Sequence, residues 1–204
     1  MAVLFPTAYF GSIAYFQHLM RHKNVCIEAW DTFPKQTFRN RCVILGSQGP
    51  LRLTLPVEKP NGSKSLTNEI LVVESDDWRI NHWRALKSAY SAAPYFEHYS
   101  REIEALIFTR ERSLLRYNQL ITETIAGLFD YTVKLQTTEE FLPISGREPD
   151  FRNVDFESST VDGFKSVPYP QVLFREPHFH ANPSILDLLF CNGPMGRHQL
   201  VFHS

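Results

Sequence analysis

Two arginines placed two residues apart, Arg39 and Arg41, are well suited by type and spacing to hold an anion. Alternation along an extended chain puts both guanidinium groups on one face and Asn40 on the other. Guanidinium groups match the oxygens of phosphates and carboxylates, and Lys35 adds a cation just upstream. We therefore predict that Lys35, Arg39, Asn40 and Arg41 bind an anionic substrate. The alternative is a pair of surface arginines that are solvated or paired with acids such as Asp31.

Three polar residues interrupt predicted helix faces that are otherwise apolar. His82 lies among aromatic and small residues, where an imidazole can act as a general base, or can be a core histidine bonded to the backbone. Asn118 either braces a loop or reaches a ligand, since a buried amide needs partners. Asp187 needs a partner too, and we expect Arg39 or Arg41. We predict catalytic roles for His82 and Asp187 and a substrate-binding role for Asn118, with structural bonding as the alternative for each.

Metal and thiol chemistry have less support in the sequence. His178 and His180 would share one face of an extended segment and, with His82 or His203, could offer imidazole ligands to a metal ion. Surface histidines near a chain end are commoner, so we assign no metal ligands and no cofactor. Cys42 is expected to be an inert, buried thiol.

The elements that would position these residues predict an α/β chain. A strand at residues 2–5, a helix after Ser12 and a strand at 25–30 form a βαβ-like opening. Alternating runs on both sides of residues 46–50 predict a β-hairpin. Apolar periodicity predicts three consecutive helices between residues 76 and 129, and a buried helix that begins at 182–183 and carries Asp187. We expect a mixed sheet made of the N-terminal strands and the hairpin, with helices packed around it.

Composition sets limits on the class of protein. The 204 residues fit a single domain over 1–204, with 43% hydrophobic residues for a core. With 21 basic and 22 acidic residues there is no basic surface for nucleic acid. Three widely spaced cysteines and an uncharged but interrupted N-terminal stretch favour a cytoplasmic protein without membrane insertion. Phosphate-loop, GxSxG, HExxH and zinc-type Cys/His motifs are absent from the sequence, and a homo-oligomer is left open.

Several separated motifs make the chain similar to the WbqC-like protein family. They are LFP at 4–6 with AYF at 14–16, FPKQTFRNRC at 33–42 with LTLPV at 53–57, Trp78, His82, Trp83, Ala89, Tyr90 and APYF at 93–96, then Tyr169, Gln171, Asn182 and SILDLLF at 184–190. They run in order along nearly the whole chain. The chain lacks a glycine-containing stretch that longer members carry before the last motif, so any role of that stretch does not transfer.

The resemblance implies a setting in bacterial surface-polysaccharide (O-antigen) synthesis without fixing a reaction. Our leading hypothesis is an enzyme that modifies an amino-sugar or nucleotide-sugar precursor by group transfer, with Arg39 and Arg41 holding its anionic part and His82 accepting the proton. The alternatives are a non-catalytic ligand-binding or scaffolding protein of the same pathway, and a Rossmann-like nucleotidyltransferase suggested by the βαβ-like opening. All three depend on residues 35–41, His82 and Asp187 meeting in one polar pocket.

Overall fold

The structure is a computed structural model that describes residues 3–35, 37–143, 149–172 and 179–201. The elements follow the chain in this order: β1 (Val3–Phe5), α1 (Ile13–Met20), β2 (Val25–Ile27), β3 (Arg41–Gly46), β4 (Gly49–Thr54), β5 (Val57–Glu58), β6 (Leu71–Val72), α2 (Asp76–Tyr90), α3 (Phe96–Ile107), α4 (Leu114–Leu128), β7 (Leu135–Thr137), α5 (Ile185–Asn192) and α6 (Arg197–Leu200). Short 3-10 turns lie at Gly62–Lys64, Thr67–Glu69 and Gly193–Gly196.

The N-terminal opening is a βαβ unit, as the sequence predicts. Strands β1 and β2 pair in parallel across α1, with Val3 opposite Val25, and β7 adds a third parallel strand beside β2. The residues of α1 are all buried: the helix contacts α5 and α6, and its Tyr15 ring packs edge-on against the ring of Phe5 in β1. The carboxyl ends of β2 and β7 therefore lie side by side at one edge of the sheet.

The hairpin is also present, but it does not join the parallel sheet. Strands β3 and β4 form their own two-stranded antiparallel sheet, and β3 packs on α2 and α5. Strands β5 and β6 make a third small sheet. The α/β class with parallel and antiparallel strands is confirmed, while the strands of the described residues are divided among three sheets.

The consecutive helices α2, α3 and α4 confirm the most regular part of the sequence pattern. Serine side chains accept backbone N–H groups at the starts of α2 and α4. The C-terminal α5 begins slightly later than predicted, because Ser184 caps it while the Asn182 side chain accepts a hydrogen bond from the Ala14 backbone at the start of α1. Residues 185–191 are all buried, so α5 is a central core element.

Within the segments that the structure describes, none of the helices combines the length and apolar content needed to cross a bilayer.

Candidate functional site

Two cavities meet where the hairpin begins. An inner cavity of about 230 Å³ is lined by residues from 10–12, 41–43, 156–159 and 180–184. An outer cavity of about 470 Å³ is lined by residues from 31–35, 37–41 and 152–157. Phe38, Arg41 and Glu157 line both. The site is therefore two chambers with a common wall, built by the start of the hairpin, a long connecting segment and the approach to α5.

An ion pair between Arg41 and Glu157 forms the polar part of this wall. The Arg41 Nε donates to Glu157 Oε1 at 3.2 Å and Oε2 at 3.1 Å, and its Nη2 donates to Oε2 at 2.6 Å. Both side chains are half-buried, so the pair is neither fully solvated nor sealed in the core. Arg41 thus presents a guanidinium group between two cavities, with one carboxylate already bound to it.

Arg39 is more deeply buried in the wall of the outer cavity. Its Nη2 donates to Asp31 Oδ2 at 2.8 Å and its Nη1 to Thr37 Oγ1 at 3.2 Å. Its Nε is buried and has no hydrogen-bond partner among the described residues. A buried donor without a partner costs about 1–3 kcal/mol. Arg39 therefore keeps one buried donor unpaired, and the acid that it pairs with is the one suggested by the sequence.

Arg152 brings a third guanidinium to the outer cavity, held by two acids. It donates to Glu28 Oε2 at 2.7 Å, and its contacts to Asp150 lower the pKa of that carboxyl. Among the described residues, the cations that line the outer cavity are Lys35, Arg39, Arg41 and Arg152, and the acids are Asp31, Asp155 and Glu157. The described lining therefore has one more cation than acid, while Arg152 is already paired with Glu28 and Asp150 outside this lining.

The inner cavity is more apolar and lies against the first turns of α1 and α5. Phe10, Phe38 and Phe156 give it aromatic walls. Phe10 has a φ of 41°, a region that bulky residues seldom adopt, and a Cβ on the next residue, Gly11, would lie 2.7 Å from the Tyr15 ring. This tight loop holds the Phe10 ring in the cavity wall.

The two helix starts beside the inner cavity bind each other. The Ile13 N–H donates to the Pro183 carbonyl at 3.0 Å, and the Ile185 N–H donates to the Gly11 carbonyl at 2.9 Å. The Ser184 hydroxyl donates to the Phe10 carbonyl at 2.8 Å. These groups are already used within the protein, so the arginine remains the main anion-binding group at this junction.

The predicted single polar pocket does not form. Lys35, Arg39 and Arg41 do line one cavity together, but Asn40 donates to the Leu55 carbonyl at 2.9 Å and takes no part in its lining. Asn118 is buried and donates to the Arg39 carbonyl at 2.8 Å, which is the loop-bracing alternative. It supports the position of Arg39 from behind.

His82 occupies an aromatic core position and is not among the residues that line either cavity. Its Nδ1 shares a hydrogen bond of 2.9 Å with the Tyr9 hydroxyl, and burial lowers its pKa from 6.5 to about 4. Its catalytic role stays a prediction, and this position favours the core alternative.

Asp187 is fully buried, and the expected pairing with Arg39 or Arg41 is wrong. The Tyr169 hydroxyl donates to its Oδ2 at 2.5 Å and the Gln171 Nε2 at 3.0 Å. Burial raises the pKa of Asp187, more than these hydrogen bonds lower it. Uncharged partners suit this carboxyl group, because burial makes its protonated form more stable than its ionised form. Its catalytic role also stays a prediction.

The thiol and metal alternatives gain little from the geometry. Cys42 lines the inner cavity, but burial raises its pKa, which disfavours the thiolate. His180 lines the inner cavity, whereas His178 and His203 lie outside the described residues. In the described segments no group of three His, Cys, Asp or Glu residues is arranged to hold a metal ion.

Sequence reasoning missed Arg152, Asp155 and Glu157. They lie in a stretch of mixed polar and aromatic residues without helix or strand periodicity, a pattern that predicts a loop. The available signal was the alternation of charges with Phe151 and Phe156, because aromatic residues within a polar loop anchor it to the core. Phe156 is fully buried and fixes Glu157 beside Arg41.

Comparison with known proteins gives two matches and one negative result. The model of the WbqC-like protein family matches residues 7–160, which leaves the motif at 182–190 outside the matched span. Uncharacterized protein Rv1507c of Mycobacterium tuberculosis is 24% identical over 131 residues, which cover 64% of this chain and 56% of that protein. The chain therefore spans just over half of that relative's length. No solved structure matches.

Proposed function

The chain belongs to the WbqC-like protein family, and from that premise we propose that it binds an anionic sugar precursor of bacterial surface-polysaccharide assembly in the cavities on both sides of Arg41. The observation that carries the proposal is the position of Arg41, which lines both cavities. A phosphorylated sugar has an anionic part and a ring. In the same way, the outer cavity is lined by charged side chains and the inner cavity has aromatic walls.

The outer cavity suits the phosphate groups. Lys35, Arg39 and Arg41 are cations at its lining. Guanidinium groups bind phosphate oxygens in pairs, which fixes orientation as well as charge. The inner cavity suits the less charged part, since aromatic side chains supply its walls. The cavities together have the size of small-molecule sites, roughly 300–1,000 Å³.

Binding of a phosphate to Arg41 would displace Glu157. The carboxylate and the ligand compete for the same Nε and Nη2 groups, so the ligand must offset the loss of this pair. Once released, Glu157 is a free carboxylate at the junction of the two chambers. In this proposal the Glu157 carboxylate binds the same donor groups of Arg41 that the phosphate would bind.

A group-transfer reaction can use the released carboxylate as its base. An acceptor amine or hydroxyl would form a bond to the transferred group, the bond from that group to the phosphate would break, and Glu157 would take the acceptor's proton. The leaving phosphate would keep the electron pair and stay on the arginines. In this form of the proposal Glu157 has the role that the sequence assigns to His82.

Non-catalytic binding is the second candidate, and the direction of two pKa shifts favours it. Catalytic groups are commonly shifted towards their reactive form. Here burial raises the pKa of the Cys42 thiol, which disfavours the nucleophilic thiolate, and lowers the pKa of His82 to about 4, which leaves a neutral imidazole that is a weak base near neutral pH. Tight binding without any product from a complete set of acceptors would select this candidate.

Calorimetric titration with UDP-glucose, UDP-N-acetylglucosamine and dTDP-glucose tests the binding proposal. We expect at least one to bind, and Arg41→Ala to weaken it about tenfold or more, since a charge-assisted contact contributes about 1.5–3 kcal/mol. Arg112→Ala is the matched control, because Arg112 is also paired with an acid, Glu58, and lines neither cavity. Absence of binding by all three ligands, or equal losses in the two variants, would contradict the proposal.

A further inference from the structure

A third cavity lies at the carboxyl ends of the parallel strands β2 and β7. This side cavity has a volume of about 440 Å³. It is lined by Ala29 and Trp30 after β2, by Thr137 and Thr138 at the end of β7, by Asn68, and by four residues at the start of α4, namely Ser113, Leu115, Arg116 and Gln119. Ligands of open α/β sheets commonly bind beyond the carboxyl ends of the strands. The side cavity shares none of the lining residues of the two cavities at Arg41.

Trp30 presents an indole ring that is both exposed and held in place. It is 37% exposed, whereas the other two tryptophans, Trp78 and Trp83, are 7% and 8% exposed. Its Nε1 donates to the Thr138 carbonyl at 3.0 Å, and its backbone N–H donates to the buried Glu28 carboxylate at 2.9 Å. A ring fixed by its edge while its surface stays open is suited to stacking, because little further ordering is needed on binding.

The polar groups around this ring are mostly uncharged. Asn68, Gln119, Ser113 and Thr137 provide amides and hydroxyls, and Arg116 is the one charged residue among the described lining. The Asn68 Oδ1 is buried and has no hydrogen-bond partner among the described residues, so a turn of the amide toward the cavity would let it accept a hydrogen bond from a ligand. Amide and hydroxyl groups both donate and accept, which matches the hydroxyls of a sugar.

We propose that the side cavity binds an uncharged pyranose, stacked on Trp30 and hydrogen-bonded by Asn68 and Gln119. The C–H groups on one face of a pyranose carry partial positive charge, which the negative face of an indole attracts. The ring hydroxyls would meet the amides. The site is separate from the proposed anion site, although residues 29–32 connect the two, with Trp30 lining one and Asp31 lining the other.

NMR titration of the indole N–H signals tests the site. The probes are the methyl glycosides of glucose, galactose, rhamnose and N-acetylglucosamine at millimolar concentrations, with the Trp30 signal assigned from Trp30→Phe. We expect one or more probes to shift the Trp30 signal, while the Trp78 and Trp83 signals stay in place. Trp30→Ala should weaken binding about tenfold, because it removes the stacking contact and the apolar surface that the indole ring buries against the sugar.

Two further variants keep the result decisive. Gln119→Leu removes the amide of a partly exposed residue and keeps the Trp30 ring, and it should also weaken pyranose binding. It therefore tests the site even if Trp30→Ala does not fold. Arg41→Ala should leave pyranose binding unchanged, which separates this site from the anion site. No shift with any probe, or unchanged affinity in a folded Trp30→Ala or Gln119→Leu variant, would overturn the proposal.

Discussion

Two ion pairs tie the segment around residues 150–157 to the rest of the fold, and they differ in how far they are closed off. In the Glu28–Arg152 pair the side chains are 0% and 4% exposed, whereas in the Arg41–Glu157 pair they are 16% and 19% exposed. The distances are almost equal, at 2.7 and 2.6 Å. The same pairing of arginine and glutamate is thus closed to solvent in one place and partly open to it in the other, and only the open pair is accessible to the ligand that we propose.

The sealed pair should dominate stability. Arg152→Ala leaves the fully buried Glu28 without its cation, and we expect the free energy of unfolding to fall by about 3–5 kcal/mol. Arg41→Ala should cost about 1 kcal/mol or less, because Glu157 can be hydrated when its partner is gone. Urea unfolding of both variants measures the contrast. Equal losses would remove the distinction between a structural pair and an exchangeable one.

The buried imidazole of His82 should make the stability of the protein depend on pH. Its pKa is lowered from 6.5 to about 4, so between these pH values the unfolded chain binds a proton that the folded protein does not. Stability should therefore fall as the pH decreases from 6.5 to 4, by up to about 3 kcal/mol from this residue. His82→Gln should remove that contribution. If the free energy of unfolding changed with pH in the same way for the parent and for His82→Gln between pH 4 and 6.5, the imidazole would not be sealed from solvent.

Asp187 should give a pH effect of the opposite sign. Burial raises its pKa above 3.8, so the folded protein holds a proton that the unfolded chain loses as the pH rises. Its contribution to stability is complete below pH 3.8 and is lost as the pH rises through the folded pKa. Asp187→Asn should gain stability relative to the parent between acid and neutral pH, by about 1 kcal/mol. A loss at neutral pH would indicate that the ionised carboxylate is required.

The sequence predicts the elements of this fold better than it predicts the site. Periodicity identifies the βαβ unit, the hairpin and the helices α2–α4, because each of these patterns is local. It also identifies Arg39 and Arg41 as a pair near a cavity. It cannot tell that Asp187 meets Tyr169 and Gln171 rather than an arginine, since that depends on how distant segments pack.

The wall of the site shows a second limit of the sequence. Glu157 lies 116 residues after Arg41 in a stretch without regular structure, and its partner is set by the burial of the neighbouring Phe156. Arg41 is notable for its spacing from Arg39, whereas His82 and Asn118 are notable as polar residues on apolar helix faces, and their hydrogen bonds lie in the core. Polar residues on apolar faces can thus be recognised from sequence, but whether they face a cavity cannot.

The exchange of Glu157 for a ligand at Arg41 is tested most directly by calorimetric titration with inorganic pyrophosphate, a probe that does not depend on the identity of the sugar. Glu157→Gln removes the competing charge and should bind pyrophosphate more tightly, by up to about tenfold, while Arg41→Ala should bind it about tenfold more weakly. Arg112→Ala should match the parent. Opposite changes in affinity for the two variants are the predicted result, and equal or parallel changes would contradict it.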